Sequence, residues 1–240
     1  MKNAWNRLYR VPPDAAKLGS TVDVTRMLGP TITPKCSLQR AYLSTAADGG
    51  RITLSEGIYE LRGTLTITRQ NFSIVSTSPG KTIIRRSAST SGAMIEVTET
   101  ATGFRLVGVS LQDISATNTD PTILIKAESS VVKDCHFLDY DTGILVDATA
   151  GVKIFCNRFD QSTGRAAYCV YLRDADDVIV SMNDVHHADV ANPAIYADDN
   201  SERVSAVGNT TPGANMISYK ALKECADAGN TPPTSIQVRP

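Results

Sequence analysis

Val152-Lys-Ile-Phe-Cys-Asn-Arg-Phe159 is one copy of an eight-residue unit whose recurrence decides the fold. The other copies are Phe104-Arg-Leu-Val-Gly-Val-Ser-Leu111, Ser130-Val-Val-Lys-Asp-Cys-His-Phe137, Val178-Ile-Val-Ser-Met-Asn-Asp-Val185 and Val204-Ser-Ala-Val-Gly-Asn-Thr-Thr211. They begin at residues 104, 130, 152, 178 and 204, so successive starts lie 26, 22, 26 and 26 residues apart. Self-similarity at that period marks a solenoid. The first and third positions are mostly apolar, and the eighth is large and apolar in four of five copies, so side chains alternate as in a strand. A second short β-rich run follows each unit: Thr122-Ile-Leu-Ile125, Gly143-Ile-Leu-Val146, Cys169-Val-Tyr-Leu172, Ala194-Ile-Tyr-Ala197 and, more weakly, Met216-Ile217. No helix-length segment separates the units and no Leu/Asn spacing recurs, which excludes a leucine-rich repeat. Two or three strands per turn with no intervening helix predict an all-β, single-stranded parallel β-helix.

Upstream, Gly49-Gly-Arg-Ile-Thr-Leu-Ser-Glu-Gly-Ile-Tyr-Glu-Leu61 leads into Leu65-Thr-Ile67, Phe72-Ser-Ile-Val75 and Thr82-Ile-Ile84. This stretch resembles the entry of the right-handed parallel β-helices of the pectate-lyase-like superfamily, in which a short helix precedes such a Gly-Gly segment and asparagines stack in a tight turn. The resemblance covers roughly residues 34 to 211 and implies a right-handed coil. It makes residues 34 to 47, with Leu38, Tyr42 and Leu43 at helical spacing, the N-terminal capping helix. Lyases, hydrolases, viral spikes and adhesins share this fold, so it does not select a function.

Composition narrows the classes. The chain has 240 residues, 42% hydrophobic, with a formal charge of −1, which fits one folded domain with no broad attraction to nucleic acid or an anionic membrane. Cys36, Cys135, Cys156, Cys169 and Cys225 show no CxxC spacing and read as free core thiols rather than disulfides or metal ligands. Residues 1 to 10 lack the apolar core of a signal peptide, and no run is long enough to span a bilayer, so folding in a cytoplasm is expected.

Three parts are expected. Residues 1–33, with Pro12-Pro13, Gly19-Ser20 and Gly29-Pro30, read as an arm that anchors on another protein. Residues 34–211 form the β-helix. Residues 212–240 form a C-terminal cap and tail, with Tyr219 to Ala228 as a short helix before an extended segment.

Asn157, Asn183 and Asn209 share one phase of the repeat and read as a structural ladder of stacked amides, with Cys135 and Val109 in that phase earlier. Positions two and four of each unit point outward, and one of each pair is apolar: Val107, Val131, Phe155, Ile179 and Val207. Such a stripe predicts a subunit interface. In the second strand, Leu124, Leu145, Tyr171 and Tyr196 form one outward column, and Lys126, Asp147, Arg173 and Asp198 the next. The tyrosines read as packing or interface groups, with a platform for sugar rings as the other use. The charges read as a register-setting ladder.

Catalysis on this fold would fall to surface carboxylates. Asn118-Thr-Asp120 resembles the first motif of polygalacturonase-type hydrolases, and Asp139-Tyr-Asp141 falls where a later rung supplies an acid/base pair. Where that family would carry its Asp-Asp this chain has Asp139-Tyr140-Asp141, and the family's Gly-His-Gly and Arg-x-Lys motifs are absent. Asp174-Ala-Asp-Asp177 is the dense acidic group and reads as a solvated turn rather than a Ca²⁺ site. His136, Arg158 and Asp184 read as a charge relay between rungs, and His186-His187 diverge to opposite faces. No cofactor or metal is implied.

The sequence therefore points to a non-enzymatic component of a bacteriophage virion, a tailspike, fibre or capsid-decoration protein resembling the trimeric β-helix spikes. Its expected partners are two copies of itself, other virion proteins at the arm, and a host-surface glycan. The alternative is a polysaccharide-active enzyme of the same fold, a lyase or glycoside hydrolase.

Overall fold

A computed structural model describes residues 21–24, 37–44, 48–61, 63–86, 91–113, 120–161, 168–187, 193–211, 217–219 and 226–228. Among them, three parallel sheets run the length of the molecule. Sheet A has nine strands, from Thr21–Val24 to Ala226–Ala228, and sheet C has seven, from Leu65–Ile67 to Ile217–Tyr219. Sheet B has six, from Gly57–Leu61 to Asp184–His187. The chain visits A, B and C in turn: Lys153–Phe155 lies in A, Arg158–Gln161 in B and Tyr168–Asp176 in C before Ile179–Ser181 returns to A. The architecture is the parallel β-solenoid that the repeat predicts.

Alternation explains why these segments pair and how they close around a core. In sheet A, Ile74, Leu106, Val132, Ile154, Val180 and Ala206 stack in register and are all buried. In sheet B the inward column is Tyr59, Ile84, Leu111, Phe137, Phe159 and Val185. Phe137 and Phe159 stack at 4.6 Å between ring centroids, close to the rung spacing of about 4.8 Å. Sheet C supplies Ile95, Ile123, Ile144, Val170 and Ile195. Each such side chain contributes about 1.5–3 kcal/mol on burial.

The corners are set by left-handed residues. Between sheets A and B, Gly108, Asp134, Cys156, Met182 and Gly208 stack at φ of 71, 54, 55, 53 and 65°. Their N–H groups donate along the axis, Gly108 to Lys133 O at 3.1 Å, Cys156 to Ser181 O at 3.1 Å and Met182 to Val207 O at 2.9 Å. Between sheets C and A, Asn71, Gly103, Ser129, Gly151, Asp177 and Arg203 are likewise left-handed, and the first five donate their N–H groups to the next rung. A left-handed L-residue costs about 1–2 kcal/mol, and the inter-rung bond offsets it. Asn157, Asn183 and Asn209 each follow the left-handed residue and are not themselves left-handed.

The N-terminal helix is described over Ser37–Ser44, within the expected 34–47, whose remaining residues lie outside the described part. Leu38, Ala41 and Tyr42 face the core, Tyr42 packing edge-on against Phe72 at 4.9 Å. Leu43, expected on that face, is exposed. Arg69 closes the helix end by donating to the carbonyls of Tyr42 and Leu43.

The sheets extend past the expected 34–211 limits. Thr21–Val24, expected in the anchoring arm, pairs in parallel with Arg51–Leu54. At the other end, both termini of the short helix expected over Tyr219 to Ala228 are strands, and residues 220–225 lie outside the described residues. Ile217–Tyr219 continues sheet C and Ala226–Ala228 continues sheet A. Among the described residues no helix is long and apolar enough to cross a membrane.

Candidate functional site

The three outer faces of the solenoid, its corners and the asparagine column between two of them hold the candidate residues that lie among the described ones. The amides come first because they are fully engaged. Asn157, Asn183 and Asn209 are buried. Asn157 Nδ2 donates to Asn183 Oδ1 at 3.0 Å and to Val132 O at 3.0 Å, and Asn183 Nδ2 donates to Asn209 Oδ1 at 2.9 Å and to Ile154 O at 3.1 Å. Each amide oxygen also accepts a backbone N–H from the rung before, Cys135 N to Asn157 Oδ1 at 3.0 Å being the first. The ladder is an internal hydrogen-bond column with its donors and acceptors directed at neighbouring rungs.

The carboxylates are divided. The register Pro121↔Thr142 puts Asp120 and Asp141, which precede these residues, at one phase on adjacent rungs. Asp120 accepts the Gly92 N–H. It also lies beside a buried ion pair in which Arg86 reaches Asp113 at 3.1 Å, both side chains 2% exposed. Asp139 sits apart: it is left-handed at φ 51°, and its N–H donates along the axis to Asp160 O on the next rung at 3.2 Å. Tyr140 between them is buried, its hydroxyl 3.0 Å from Cys169 Sγ. Burial pushes the Cys169 thiol up to about 12.

Sheet B presents charge that satisfies itself. His136 Nε2 lies 2.6 Å from Asp160 Oδ2, and Arg158 Nε donates to both oxygens of Asp160 at 3.0 and 2.8 Å. His186 Nε2 lies 2.9 Å from Asp184 Oδ2. The expected relay through His136, Arg158 and Asp184 therefore turns diagonally through Asp160, because Arg158 finds its partner on its own strand. Asp160 is partly withdrawn from water, which raises its carboxyl, but the Arg158 and His136 bonds leave it below the usual carboxylate range. The acidic run at 174–177 is likewise taken up: Arg203 contacts Asp177 at 2.7 Å and Asp176 at 3.5 Å. Among the described residues no group of three or more His, Cys, Asp or Glu is placed to hold a metal ion.

Sheet A carries the apolar residues. Val107, Lys133, Phe155, Ser181 and Val207 share one outward column, and Arg105, Val131, Lys153, Ile179 and Ser205 the other. The expected stripe is thus a zigzag across two columns, interrupted at each rung by a polar neighbour. Ile179 is 39% exposed, and at the adjoining corner Met182 is 68% exposed. Lys133 extends over the Phe155 ring with its Nζ 5.3 Å from the centroid. Cys156, read from the sequence as a core thiol, is exposed because it occupies a left-handed corner, whereas Cys135 and Cys169 are buried; Cys36 and Cys225 lie outside the described residues.

Sheet C carries aromatic residues. Tyr171 and Tyr196 are register partners, with centroids 5.2 Å apart. Tyr168, which the sequence reading missed, completes a trio at 5.2 Å from Tyr171 and 5.0 Å from Tyr196. Its signal was the spacing of three to Tyr171, which falls off the strict alternation of a strand. Two positions after Tyr171, Arg173 grips Asp147 with bonds of 2.6 and 2.8 Å. The rest of the expected charge ladder is otherwise occupied: Lys126 turns to Glu96 at 3.4 Å, and Asp198 accepts from Asp174 N and the Ser201 hydroxyl.

No family model and no curated protein matches the chain. Among solved structures, the catalytic domain of a GH87 alpha-1,3-glucanase in complex with nigerose aligns with a TM-score of 0.61 at 10% identity, covering 92% of this chain and 46% of that one. A pectin methylesterase in complex with hexasaccharide VII aligns at 0.52 and 12% identity over 87% of this chain and 80% of that one. The ORF18 protein of Geobacillus virus E2 aligns at 0.47 and 13% identity, covering 80% of this chain and 56% of that one. This chain spans about half the length of the glucanase domain. At these identities the likeness is one of fold: the chain is a parallel β-helix.

Proposed function

We propose that the chain is a structural and attachment component of a bacteriophage virion, a tailspike, fibre or capsid-decoration protein, in which three copies pack their A sheets around one axis. The observation that carries this reading is the unequal chemistry of the faces. Sheet B closes its charges on itself, whereas sheet A holds an apolar side chain outward on five successive rungs, with Ile179 and Met182 the most open. A second copy of the same periodic face is the natural cover for such a surface, since each rung meets an equivalent rung. The N-terminal arm, of which residues 1–20 lie outside the described part, would dock on other virion proteins, and the outer faces of the trimer would meet a host-surface glycan. The particle would assemble after folding in the host cytoplasm. Mass measurement of the native assembly tests this: three copies are expected, and a monomer at micromolar concentration overturns it.

One observation favours a second reading, a polysaccharide-active enzyme. Asp120 and Asp141 stand on adjacent rungs, the placement from which a pair of carboxyl groups could flank a glycosidic bond. On that reading the protein releases new chain ends from a glycan, and Asp141→Asn abolishes the release while the coil remains folded.

A further inference from the structure

We infer that the tyrosine trio on sheet C is a binding platform for a neutral glycan chain lying along the solenoid axis, and that the same face rejects acidic glycans. Tyr168, Tyr171 and Tyr196 are half-buried, so their rings are fixed in place while retaining surface. Their centroids are 5.0 to 5.2 Å apart on two successive coils. That spacing, set by a strand separation of about 4.8 Å, is close to the length of one pyranose ring. Tyr168 and Tyr196 stack at 26° and Tyr171 meets Tyr196 at 63°, so the trio forms one packed aromatic cluster across two coils against which the apolar C–H groups of an axial chain can rest. Hydroxyl groups at the sugar edges need planar polar partners, and the Arg173–Asp147 fork stands two positions from Tyr171 on the same face.

The charge around the trio decides which sugar. Arg173 is held by Asp147, and Lys126 by Glu96, so each described cation on this face is already matched by a carboxylate. On the following coil come Asp198 and Asp199, with Asp174 and Asp177 at the sheet's edge, and among the described residues the cation beside them, Arg203, is shared among Asp176, Asp177 and Glu202. A uronate chain would bring further negative charge to an acidic neighbourhood, whereas a neutral hexose chain adds none. This inference rests on the attachment role proposed above but not on the trimer.

The test is gel-affinity electrophoresis of the full chain through dextran, starch and galactomannan, with polygalacturonate as the acidic probe. Retardation is expected in at least one neutral polymer and none in polygalacturonate. Tyr171→Ala and Tyr196→Ala should each weaken retardation about tenfold, and Tyr171→Phe, which keeps the ring, should retain it; thermal melts confirm that the variants fold. Phe155→Asp, on the opposite chemistry of sheet A, separates the two readings. If it dissociates the assembly while each subunit keeps its weak glycan contact, both stand. Mobility unaffected by all three neutral polymers, equal retardation by polygalacturonate, or full binding by a folded Tyr171→Ala variant overturns the platform whatever the oligomeric state.

Discussion

At the scale of single residues, a corner of this coil needs two different things from adjacent positions. The first must turn left-handed, and the second must fill a buried site with hydrogen bonds along the axis. Gly108 and Gly208 meet the first demand at little cost, while Met182 meets it at φ 53° with its side chain largely in water. Met182→Gly should therefore raise stability by up to about 1 kcal/mol, relief of left-handed strain outweighing the added backbone entropy of the unfolded chain. A denaturant midpoint that falls instead would show that the side chain packs on its neighbours. Asn183 meets the second demand. Replacing it with alanine removes the middle amide and leaves Asn157 Nδ2 and Asn209 Oδ1 each short of a partner. A loss of about 1–3 kcal/mol is expected, with any glycan retention unchanged at temperatures where the variant stays folded. The asparagines were legible because one residue type recurs at one phase. The left-handed position was not, because Gly, Asp, Cys and Met share no chemistry there and the conformation is imposed by the inter-rung N–H bonds.

At the scale of strands, inward columns give stability and outward pairs give register. Phe159 is wholly buried, stacked on Phe137 and met edge-on by Tyr140 at 5.9 Å. Phe159→Ala should cost about 3–5 kcal/mol in equilibrium unfolding, because a stacked column cannot collapse to fill the gap. The outward Asp147–Arg173 pair is a smaller matter with a definite sign. The Arg173 hydrogen bond holds the Asp147 carboxyl below the usual carboxylate range. Its stabilisation is therefore complete above the unfolded value of about 3.9 and is lost as pH falls through the lower folded value. Half of the Arg173 side chain is exposed, so the pair is worth at most about 1 kcal/mol. Asp147→Asn should lower stability by that amount at neutral pH and converge with the unmodified protein near about pH 2; a constant difference across the titration would remove the ion pair as the cause. Strands with a dense apolar phase, such as Val178 to Val180, could be read directly. Ala226–Ala228 could not, since Ala-Asp-Ala carries no alternation of its own and is a strand only because Ser205–Val207 offers a ladder. Thr21–Val24 was hidden in the same way, as four residues among turn formers whose pairing with Arg51–Leu54 is distant in sequence.

At the scale of the whole molecule, the solenoid converts a weak pattern on one rung into a long surface. A single outward valine or phenylalanine means little, but five rungs extend the zigzag over about 20 Å. Packed three to an axis, the zigzag would form the centre of interfaces whose total must reach about 1,000 Å² for a stable assembly, the flanking corners supplying the rest. The polar residues in the zigzag suit this geometry: Lys133 already lies over Phe155, so the cation can stay at the rim while the ring enters the contact. Phe155→Asp places a charge at the middle of the face. In water such a change is nearly neutral, but in a dry interface the carboxylate loses its hydration with no partner to replace it. Sedimentation should therefore show the proposed trimer replaced by monomers, with the far-ultraviolet spectrum of the coil retained. Ile179→Asp, one rung along and in the other column, should act in the same direction, whereas Asp184→Asn on sheet B should leave the assembly whole. A trimer that survives both sheet A changes but fails with the sheet B change would move the interface to the charged face and invert the assignment of surfaces.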